Sequence, residues 1–166
     1  MKNIVLIGMP GCGKSTFGKV LAKELGLNFY DADDALEQRE KRTIKDFFAE
    51  SEDAFREAET RTLKYLSSLN NAVIATGGGC VKRQQNIQLL KQSGNIIFLH
   101  RLPENIISCI SGDSRPLLAQ DKKRIFQLYE ERRELYYKYA DYIAENNGDF
   151  TETLQQLKQY AKEIQK

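Results

Sequence analysis

The stretch that decides the fold is GMPGCGKS at residues 8–15, which fits the spacing Gly-x-x-x-x-Gly-Lys-[Ser/Thr]. It follows the apolar run NIVLI at Asn3–Ile7, whose β-branched content is typical of a buried strand. It runs into a segment with helical spacing that ends at Leu25, with Gly26 in the position of a C-cap. A strand, a glycine-rich turn and a helix in this order predict a phosphate-binding loop.

The residues of this turn have separate tasks in holding a triphosphate. Glycines let the backbone turn so that its N–H groups face phosphate oxygens. We expect Lys14 to reach the β- and γ-phosphates and Ser15 to offer its hydroxyl to Mg²⁺. The helix that begins at Lys14 directs its positive dipole end at the same anion. The predicted ATP-binding residues of this loop are Gly11, Cys12, Gly13, Lys14, Ser15 and Thr16.

Short apolar runs alternate with longer amphipathic ones along the rest of the chain. Further strands are predicted at 28–31, 72–76, 95–100 and 142–144, and helices at 33–69 (mostly helical), 83–92, 104–110, 122–139 and 151–164. This alternation predicts an α/β fold, a parallel sheet covered by helices on both faces. Because such sheets bind ligands outside the carboxyl ends of their strands, the residues that follow each strand are the candidates for function.

A kinase of this kind needs a carboxylate near its metal ion. The third predicted strand ends in Thr76 and the fourth in His100, so only the second, which ends at Asp31, offers one. In an extended Asp-x-Asp, Asp31 and Asp33 share one face because side chains alternate along a strand. One can then hold a metal-bound water while the other orients or deprotonates a hydroxyl. Asp34 is assigned to capping of the following helix.

Two further features lie at the same predicted edge of the sheet. Gly77–Gly79 end the third strand, where glycines would let a ligand approach the backbone. The segment 111–123 lacks clear periodicity and is predicted to be a mobile loop. It carries Arg115, and an arginine on a loop over the phosphates would stabilise transition-state charge. The lone His100 is interpreted as a structural residue rather than a base.

Composition narrows the class of protein. The 166 residues with 41% hydrophobic content suit one compact domain, 1–166. A formal net charge of +2 calls for neither nucleic acid nor a membrane surface as partner. Three cysteines without a Cys-x-x-Cys pair indicate neither a disulfide framework nor a zinc site. The first apolar run, about five residues, is shorter than the core of a signal peptide, so a cytoplasmic location is expected.

The ordered set of motifs resembles the shikimate kinase family over nearly the whole chain. The phosphate loop alone would indicate only a superfamily. The matching elements are GMPGCGKST, FYDAD at 29–33, FRExE at 55–59, ATGGG at 75–79, RPLL at 115–118 and the pattern Arg132-x-x-x-Tyr136-x-x-x-Ala140.

This resemblance implies that ATP phosphorylates the 3-hydroxyl of shikimate, in the route to chorismate and the aromatic amino acids. It also implies a three-layer αβα fold around a five-stranded parallel sheet in the order 2-3-1-4-5. An acceptor-binding helical segment at 32–62 and a lid at 111–123 would belong to this one domain. Members of the family are usually monomers, and the lid closes on nucleotide.

The resemblance also implies roles for particular residues. Ser15 and Asp31 match the magnesium residues, and Lys14, Asp33 and Arg115 match the catalytic ones. Arg115 would in addition contact ATP. The implied shikimate contacts are Asp33, Arg56, Gly78 and Arg132. Arg132 is preferred to Arg133 because of its four-residue spacing to Tyr136. Arginine binds carboxylates bidentately and aspartate accepts from hydroxyls, which suits an acceptor that has both groups.

Three rival classes are weighed against this one. A nucleoside monophosphate kinase shares the core and also binds its acceptor through arginines, so arginines alone do not exclude it. A GTPase-type switch would need an Asn/Thr-Lys-x-Asp guanine reader and an Asp-x-x-Gly switch, and the chain contains neither tetrapeptide. An inactive regulatory domain would not be expected to keep Lys14, Ser15, Asp31 and Asp33.

Overall fold

The computed structural model describes residues 1–111 and 119–166 of the chain. Its sheet contains the strands β1 (Asn3–Ile7), β2 (Asn28–Asp31), β3 (Ala72–Ala75), β4 (Gly94–His100) and β5 (Tyr142–Glu145). They are ordered β2-β3-β1-β4-β5, and every neighbouring pair is parallel. The predicted parallel sheet and its strand order are therefore confirmed.

Helices connect the strands and flank the sheet. They are α1 (Lys14–Leu25), α2 (Ala32–Glu40), α3 (Ile44–Glu50), α4 (Glu52–Ser67), α5 (Gln84–Ser93), α6 (Pro103–Ser111), α7 (Ala119–Tyr139) and α8 (Phe150–Ile164). Gly26 ends α1 in the left-handed region at φ 66°, as a C-cap should. Within the described ranges, no helix is both long and apolar enough to cross a membrane.

The core is built around the central strand. All residues of β1 are buried, because β3 and β4 pair with both its edges and helices cover both faces of the sheet. Side chains of β3 and β4 and the inner faces of the helices complete one large apolar cluster. A smaller cluster of Leu36, Phe47, Phe55 and Ala58 joins α2, α3 and α4. The carboxyl ends of β1, β2 and β3 consequently meet at one rigid edge of the sheet.

Two predicted segments differ from the structure. The stretch 33–69 is three helices, since Lys41 takes a left-handed φ of 51° and the side chains of Thr43 and Ser51 cap new helices. The predicted loop 111–123 is too long, because α7 already begins at Ala119. Residues 119–123 are helical although their charged side chains leave no apolar periodicity in the sequence. The remainder of the predicted lid, with Arg115, lies outside the described residues.

The pairing of β1 with β4 makes a test of the fold possible. A Cβ added at Gly94 would overlap the carbonyl oxygen of Asn3 on the neighbouring backbone. We predict that Gly94→Ala lowers the free energy of unfolding by at least about 3 kcal/mol in urea titrations. At Gly26 no atom lies within 4 Å of such a Cβ, and only the positive φ opposes it. Gly26→Ala should therefore cost only about 1 kcal/mol, and equal losses would contradict this account.

Candidate active site

A cavity of about 700 Å³ opens at the carboxyl edge of the sheet. Residues from the turn after β1, the end of β2 and the turn after β3 line it together. The predicted site residues on its surface are Gly11, Gly13, Lys14, Ser15, Thr16, Asp31, Asp33 and Gly78. Lys14 and Asp33 thus face one crevice, as the sequence required. Segments distant in the chain meet here because parallel strands end on the same side.

The turn after β1 has the conformation that a phosphate-binding loop needs. Gly11 and Gly13 take positive φ values of 79° and 103°, which residues with a side chain rarely adopt. Asn146, which follows β5, donates from Nδ2 to the Cys12 carbonyl over 2.8 Å and braces the turn. The thiol of Cys12 is buried and its backbone N–H donates to the Met9 carbonyl over 3.1 Å, so a ligand gains this N–H only by displacing that carbonyl.

Lys14 is held inside this turn. Its ammonium donates to the carbonyl oxygens of Gly8, at 2.7 Å, and Met9, at 2.9 Å. The side chain is largely buried although it carries a charge. Those two carbonyls compensate the loss of water around the ammonium. They keep the positive charge beside the cavity, where an anion can approach it.

Asp31 links the metal-binding candidates, but by a different route from the predicted one. Its Oδ2 accepts a hydrogen bond from the Ser15 hydroxyl. Its Oδ1 accepts from the backbone N–H groups of Asp33, at 3.0 Å, and Asp34, at 3.2 Å. Asp31 is therefore the N-cap of α2, and the assignment of that cap to Asp34 is wrong. The expected extended Asp-x-Asp is also wrong, because α2 starts at Ala32.

The donors around Ser15 and Asp31 fit magnesium. A hydroxyl and a carboxylate are hard oxygen ligands, and Mg²⁺ commonly binds to one or two carboxylates plus substrate phosphates and water. The described part of the chain holds no group of three or more histidine, cysteine, aspartate or glutamate residues that could by itself enclose a metal. A metal here would consequently need phosphate oxygens as further ligands.

Asp33 has an environment suited to a proton acceptor. Burial, followed by the charge of Asp31, raises its pKa above the ordinary value of 3.8, while the nearby Lys14 opposes the shift. A carboxylate with a raised pKa takes a hydroxyl proton more readily than one in water. The position of Asp33 in the first turn of α2 directs this group to the cavity rather than into the sheet.

The glycine run after β3 makes room for charged side chains. A Cβ on Gly77 would come within 3.0 Å of carboxylate oxygens of Asp33 and Glu59. A Cβ on Gly79 would overlap the guanidinium of Arg56. Gly78 packs against Pro10 of the phosphate loop, where a Cβ would lie 2.6 Å from the proline ring. The three glycines therefore bring protein groups together, besides any ligand they admit.

Behind this run lies a buried cluster of charges around Glu59. Arg56 donates from Nη1 to Glu59 Oε1 over 2.8 Å, and both side chains are almost fully enclosed. Burial raises the pKa of Glu59, while Arg56 and, more weakly, Arg132 oppose the shift. Arg56 Nε, Glu59 Oε2 and Arg132 Nε are buried without hydrogen-bond partners among the described residues, although Glu52 Oε1 forms an ion pair with Arg56 Nε at 3.5 Å. Unsatisfied donors on both arginines leave capacity for an anion.

Sequence reasoning preferred Arg132 to Arg133, and the structure separates the two clearly. Arg132 is buried at 9% exposure, whereas the Arg133 side chain is 48% exposed and lies 3.9 Å from Glu130. Neither Arg56 nor Arg132 lines the 700 Å³ cavity itself; both stand beyond the glycine run. Glu59 is the last residue of the FRExE motif at 55–59, and the sequence alone assigned it no role. Its three-residue spacing from Arg56 on a helix was the signal for their pairing.

The far end of the cavity holds residues that the sequence did not single out. Phe150, the first residue of α8, is 42% exposed and stacks on Phe17 with ring centroids 4.4 Å apart. Arg101, Cys109 and Gly148 lie on the same surface. An exposed aromatic face beside a phosphate loop suits a nucleobase. No local pattern links Phe150 with Phe17, because only folding brings them together.

Three features define a P-loop kinase of small molecules. They are the strand order, the phosphate loop that leads into α1, and the presence of Lys14 and Asp33 on one cavity. A family model described as "Shikimate kinase" matches residues 10–164. The chain belongs to the shikimate kinase family.

Relatives of the chain match it from end to end. A shikimate kinase of Clostridium botulinum (strain Eklund 17B / Type B) is 47% identical over 95% of this chain and 96% of its own. A shikimate kinase of Clostridium beijerinckii is 41% identical over 96% of this chain and 95% of its own. Among solved structures, shikimate kinase from Acinetobacter baumannii in complex with shikimate has a TM-score of 0.87 and 33% identity, covering 98% of this chain and 94% of that one.

The half-buried carboxylate of Asp33 makes a prediction in which stability and activity change in opposite directions. Because the folded protein disfavours ionised Asp33, its charge costs stability at pH 7. We predict that Asp33→Asn raises the melting temperature at pH 7, with the gain vanishing as pH falls below the ordinary pKa of 3.8. The same change should lower turnover by about 100-fold or more while ATP still binds. Asp34→Asn, which changes an exposed neighbour, should alter neither the melting temperature nor the turnover. A lower melting temperature for Asp33→Asn would contradict the burial argument.

The aromatic end of the cavity yields a second prediction. Phe150→Ala should raise the KM for ATP at least about fivefold, since base stacking is worth about 1–3 kcal/mol. Phe126→Ala, which removes an equally exposed ring on α7, should leave that KM unchanged. The chain has no tryptophan, so Phe150→Trp would report nucleotide binding by quenched fluorescence. A Phe150→Ala variant with normal ATP affinity would place the nucleobase elsewhere.

Proposed function

We propose that this chain transfers the γ-phosphoryl group of ATP to the 3-hydroxyl of shikimate, giving 3-phosphoshikimate and ADP. The observation that carries the proposal is the opposition of Lys14 and Asp33 across one cavity, with two under-satisfied arginines beyond it. Phosphate chemistry belongs on the lysine side and hydroxyl chemistry on the aspartate side. Full-length similarity to shikimate kinases supports the choice of acceptor.

ATP binds with its triphosphate on the turn after β1. Backbone N–H groups of Gly11, Cys12 and Gly13 face the phosphates together with Ser15 and Thr16 at the start of α1. Lys14 leaves its two carbonyl acceptors, or shares them, to neutralise charge on the transferring group. Arg115 supplies further positive charge, by its match to the lid arginine of the family.

Mg²⁺ is the expected metal, and when bound it neutralises charge on the β- and γ-phosphates. Ser15 and Asp31 would hold it, the first through its hydroxyl and the second through a carboxylate oxygen or a bound water. Asp31 keeps its orientation because two backbone N–H groups of α2 bind Oδ1. Its other oxygen is therefore aimed at Ser15, and a metal would replace that hydrogen bond.

Shikimate binds with its carboxylate toward Arg56 and Arg132 and its hydroxyls toward Asp33 and the backbone of Gly78. A carboxylate fits the free donor capacity of the two guanidiniums, and it competes with Glu59 for Arg56. Charge-assisted contacts at one end of the ring fix the orientation of the hydroxyl at the other. Positioning of this kind accounts for a large part of the rate in phosphoryl transfer.

The chemical step is an in-line displacement at phosphorus. The 3-hydroxyl oxygen forms a bond to the γ-phosphorus while the bond to the bridging oxygen of ADP breaks. Asp33 accepts the proton of the attacking hydroxyl, which its raised pKa favours. Exclusion of water from the cavity would keep ATP from hydrolysis before the acceptor arrives.

The proposal includes the setting in which the reaction takes place. We infer one kinase domain over 1–166, with the segment 32–62 on the acceptor side, acting as a monomer in the cytoplasm. Neither nucleic acid nor a membrane is a partner, in keeping with the net charge of +2. The remaining alternative is another small-molecule or nucleoside monophosphate kinase of the same fold. The likeness to a gluconokinase from Sinorhizobium meliloti, at 16% identity and a TM-score of 0.67, is one of fold alone.

A coupled assay of ADP release tests the reaction. With ATP and Mg²⁺ present, shikimate should start ADP release, whereas gluconate and nucleoside monophosphates should not. Release with a monophosphate and none with shikimate would favour the alternative kinase class.

The neighbouring arginines of α7 provide a matched pair of variants. Arg132→Ala should raise the KM for shikimate about 30-fold or more, because a buried charged contact to a carboxylate is lost. Its KM for ATP should change less than about twofold. Arg133→Ala removes the same side chain from the exposed face and should match the wild-type protein. Equal effects on both KM values would argue against a carboxylate clamp at Arg132.

A further inference from the structure

His100 closes β4 at the edge of the sheet that forms the site, and its ring is buried at 7% exposure. Both ring nitrogens have partners on other elements. Nδ1 lies 2.8 Å from Glu145 Oε2 at the end of β5 and 3.4 Å from the Tyr137 hydroxyl on α7, and Nε2 lies 2.9 Å from the Tyr129 hydroxyl on α7. The ring also packs against Phe98, Tyr129 and Tyr137. These contacts agree with the interpretation of His100 as a structural residue.

The partners of His100 specify how its hydrogen bonds run. The Glu145 carboxylate accepts, so Nδ1 carries the proton that it receives. In the neutral ring Nε2 then accepts the hydrogen bond of the Tyr129 hydroxyl. Burial raises the pKa of Tyr129, which keeps that hydroxyl protonated and able to donate. A directed chain from Tyr129 through His100 to Glu145 thus ties α7 to the ends of β4 and β5.

Tyr129, the end of this hydrogen-bonded chain on α7, lies one turn before Arg132, the arginine proposed to bind shikimate. Tyr129, Arg132 and Tyr136 are the buried residues of α7, and their spacing places them on one helix face. Tyr136 donates to the carbonyl of Gly78 over 2.6 Å, one turn after Arg132. Tyr129 is tied to His100 one turn before it. Arg132 therefore sits on a stretch of helix that is fixed to the sheet at both ends.

Arg132 depends on this attachment, because Tyr136, a polar side chain that interacts with its guanidinium, lies on the same helix. Among the described residues it has no ion-pair partner within 4.0 Å, and its buried Nε has no hydrogen-bond partner. The place of its guanidinium is set by the position and rotation of α7. A shift of the helix by a fraction of an ångström would therefore move the guanidinium, and Tyr136 with it.

We propose that His100 is a positioning residue for the acceptor: through Tyr129 it fixes the turn of α7 that presents Arg132 to the carboxylate. This inference rests on the proposed function, since Arg132 matters in this way only if it binds the carboxylate of shikimate. His100 touches no reacting atom. Its effect should be confined to the acceptor and should leave the nucleotide site unchanged.

The test compares two tyrosines that each lose one hydroxyl. Tyr129→Phe removes the bond to His100 and keeps the aromatic packing. Tyr160→Phe, on α8, removes a bond of 2.8 Å to the Ile143 carbonyl of β5 and controls for lost stability. Tyr129→Phe should raise the KM for shikimate about fivefold, the size of one net hydrogen bond, with the KM for ATP within twofold of wild type. Tyr160→Phe should leave both KM values within twofold.

A double-mutant cycle asks whether the two side chains act through one contact. His100→Leu should raise the KM for shikimate by at least as much as Tyr129→Phe. The variant with both changes should be no worse than His100→Leu alone, because the shared contact is already lost. Independent, multiplying effects on that KM would overturn the proposed connection through Tyr129.

Measurements on the wild-type protein separate this inference from the proposed function. If wild-type protein releases ADP with shikimate but Tyr129→Phe behaves like Tyr160→Phe, only the positioning role of His100 is overturned. If wild-type protein neither binds shikimate in calorimetry nor phosphorylates it, the proposed function fails and this role fails with it. Melting temperatures of all variants show whether a change in KM exceeds what lost stability explains.

Discussion

Burial of charge at the carboxyl edge of the sheet is the constraint on which the rest of this structure depends. Lys14, Arg56, Glu59 and Arg132 are all enclosed there, where an uncompensated charge would be costly. Lys14 is compensated by carbonyls of its own loop and Arg56 by Glu59. Gly77 and Gly79 follow β3 because a side chain at either position would collide with these charged groups. Compensation is incomplete, and a bound carboxylate would supply acceptors for the unsatisfied donors of Arg56 and Arg132.

The same constraint explains how distant segments are kept in register. Gly78 packs on Pro10 and accepts from Tyr136, so the loops after β1 and β3 and the helix α7 meet at one backbone unit. Asn146 braces the phosphate loop from the end of β5. Burial raises the pKa of the neighbouring Cys80 thiol to about 12, which keeps this cysteine an inert packing group. Rigid loops of this kind allow a substrate to be positioned by groups far apart in the chain.

Much of the fold could be predicted because its signals are local. The apolar run of β1, the glycines of the phosphate loop and the cap at Gly26 each report on neighbouring residues. Contacts made only by folding were missed: the stacking of Phe150 on Phe17, and Arg101 at the same end of the cavity. The helix cap was assigned to Asp34 instead of Asp31 for a physical reason. One carboxylate can cap a helix and face Ser15 at once, and sequence spacing does not reveal this double role. The roles given to Arg115 and to the lid stay predictions.

The central claim is that one cavity holds a nucleotide on the side of Lys14 and an acceptor hydroxyl on the side of Asp33. A crystal structure of the protein with ADP, Mg²⁺ and shikimate measures this arrangement directly. We predict the shikimate carboxylate on Arg56 and Arg132, the 3-hydroxyl within hydrogen-bonding distance of Asp33, and the β-phosphate on Lys14. Shikimate bound away from Asp33, or with its carboxylate on Lys14, would contradict the account.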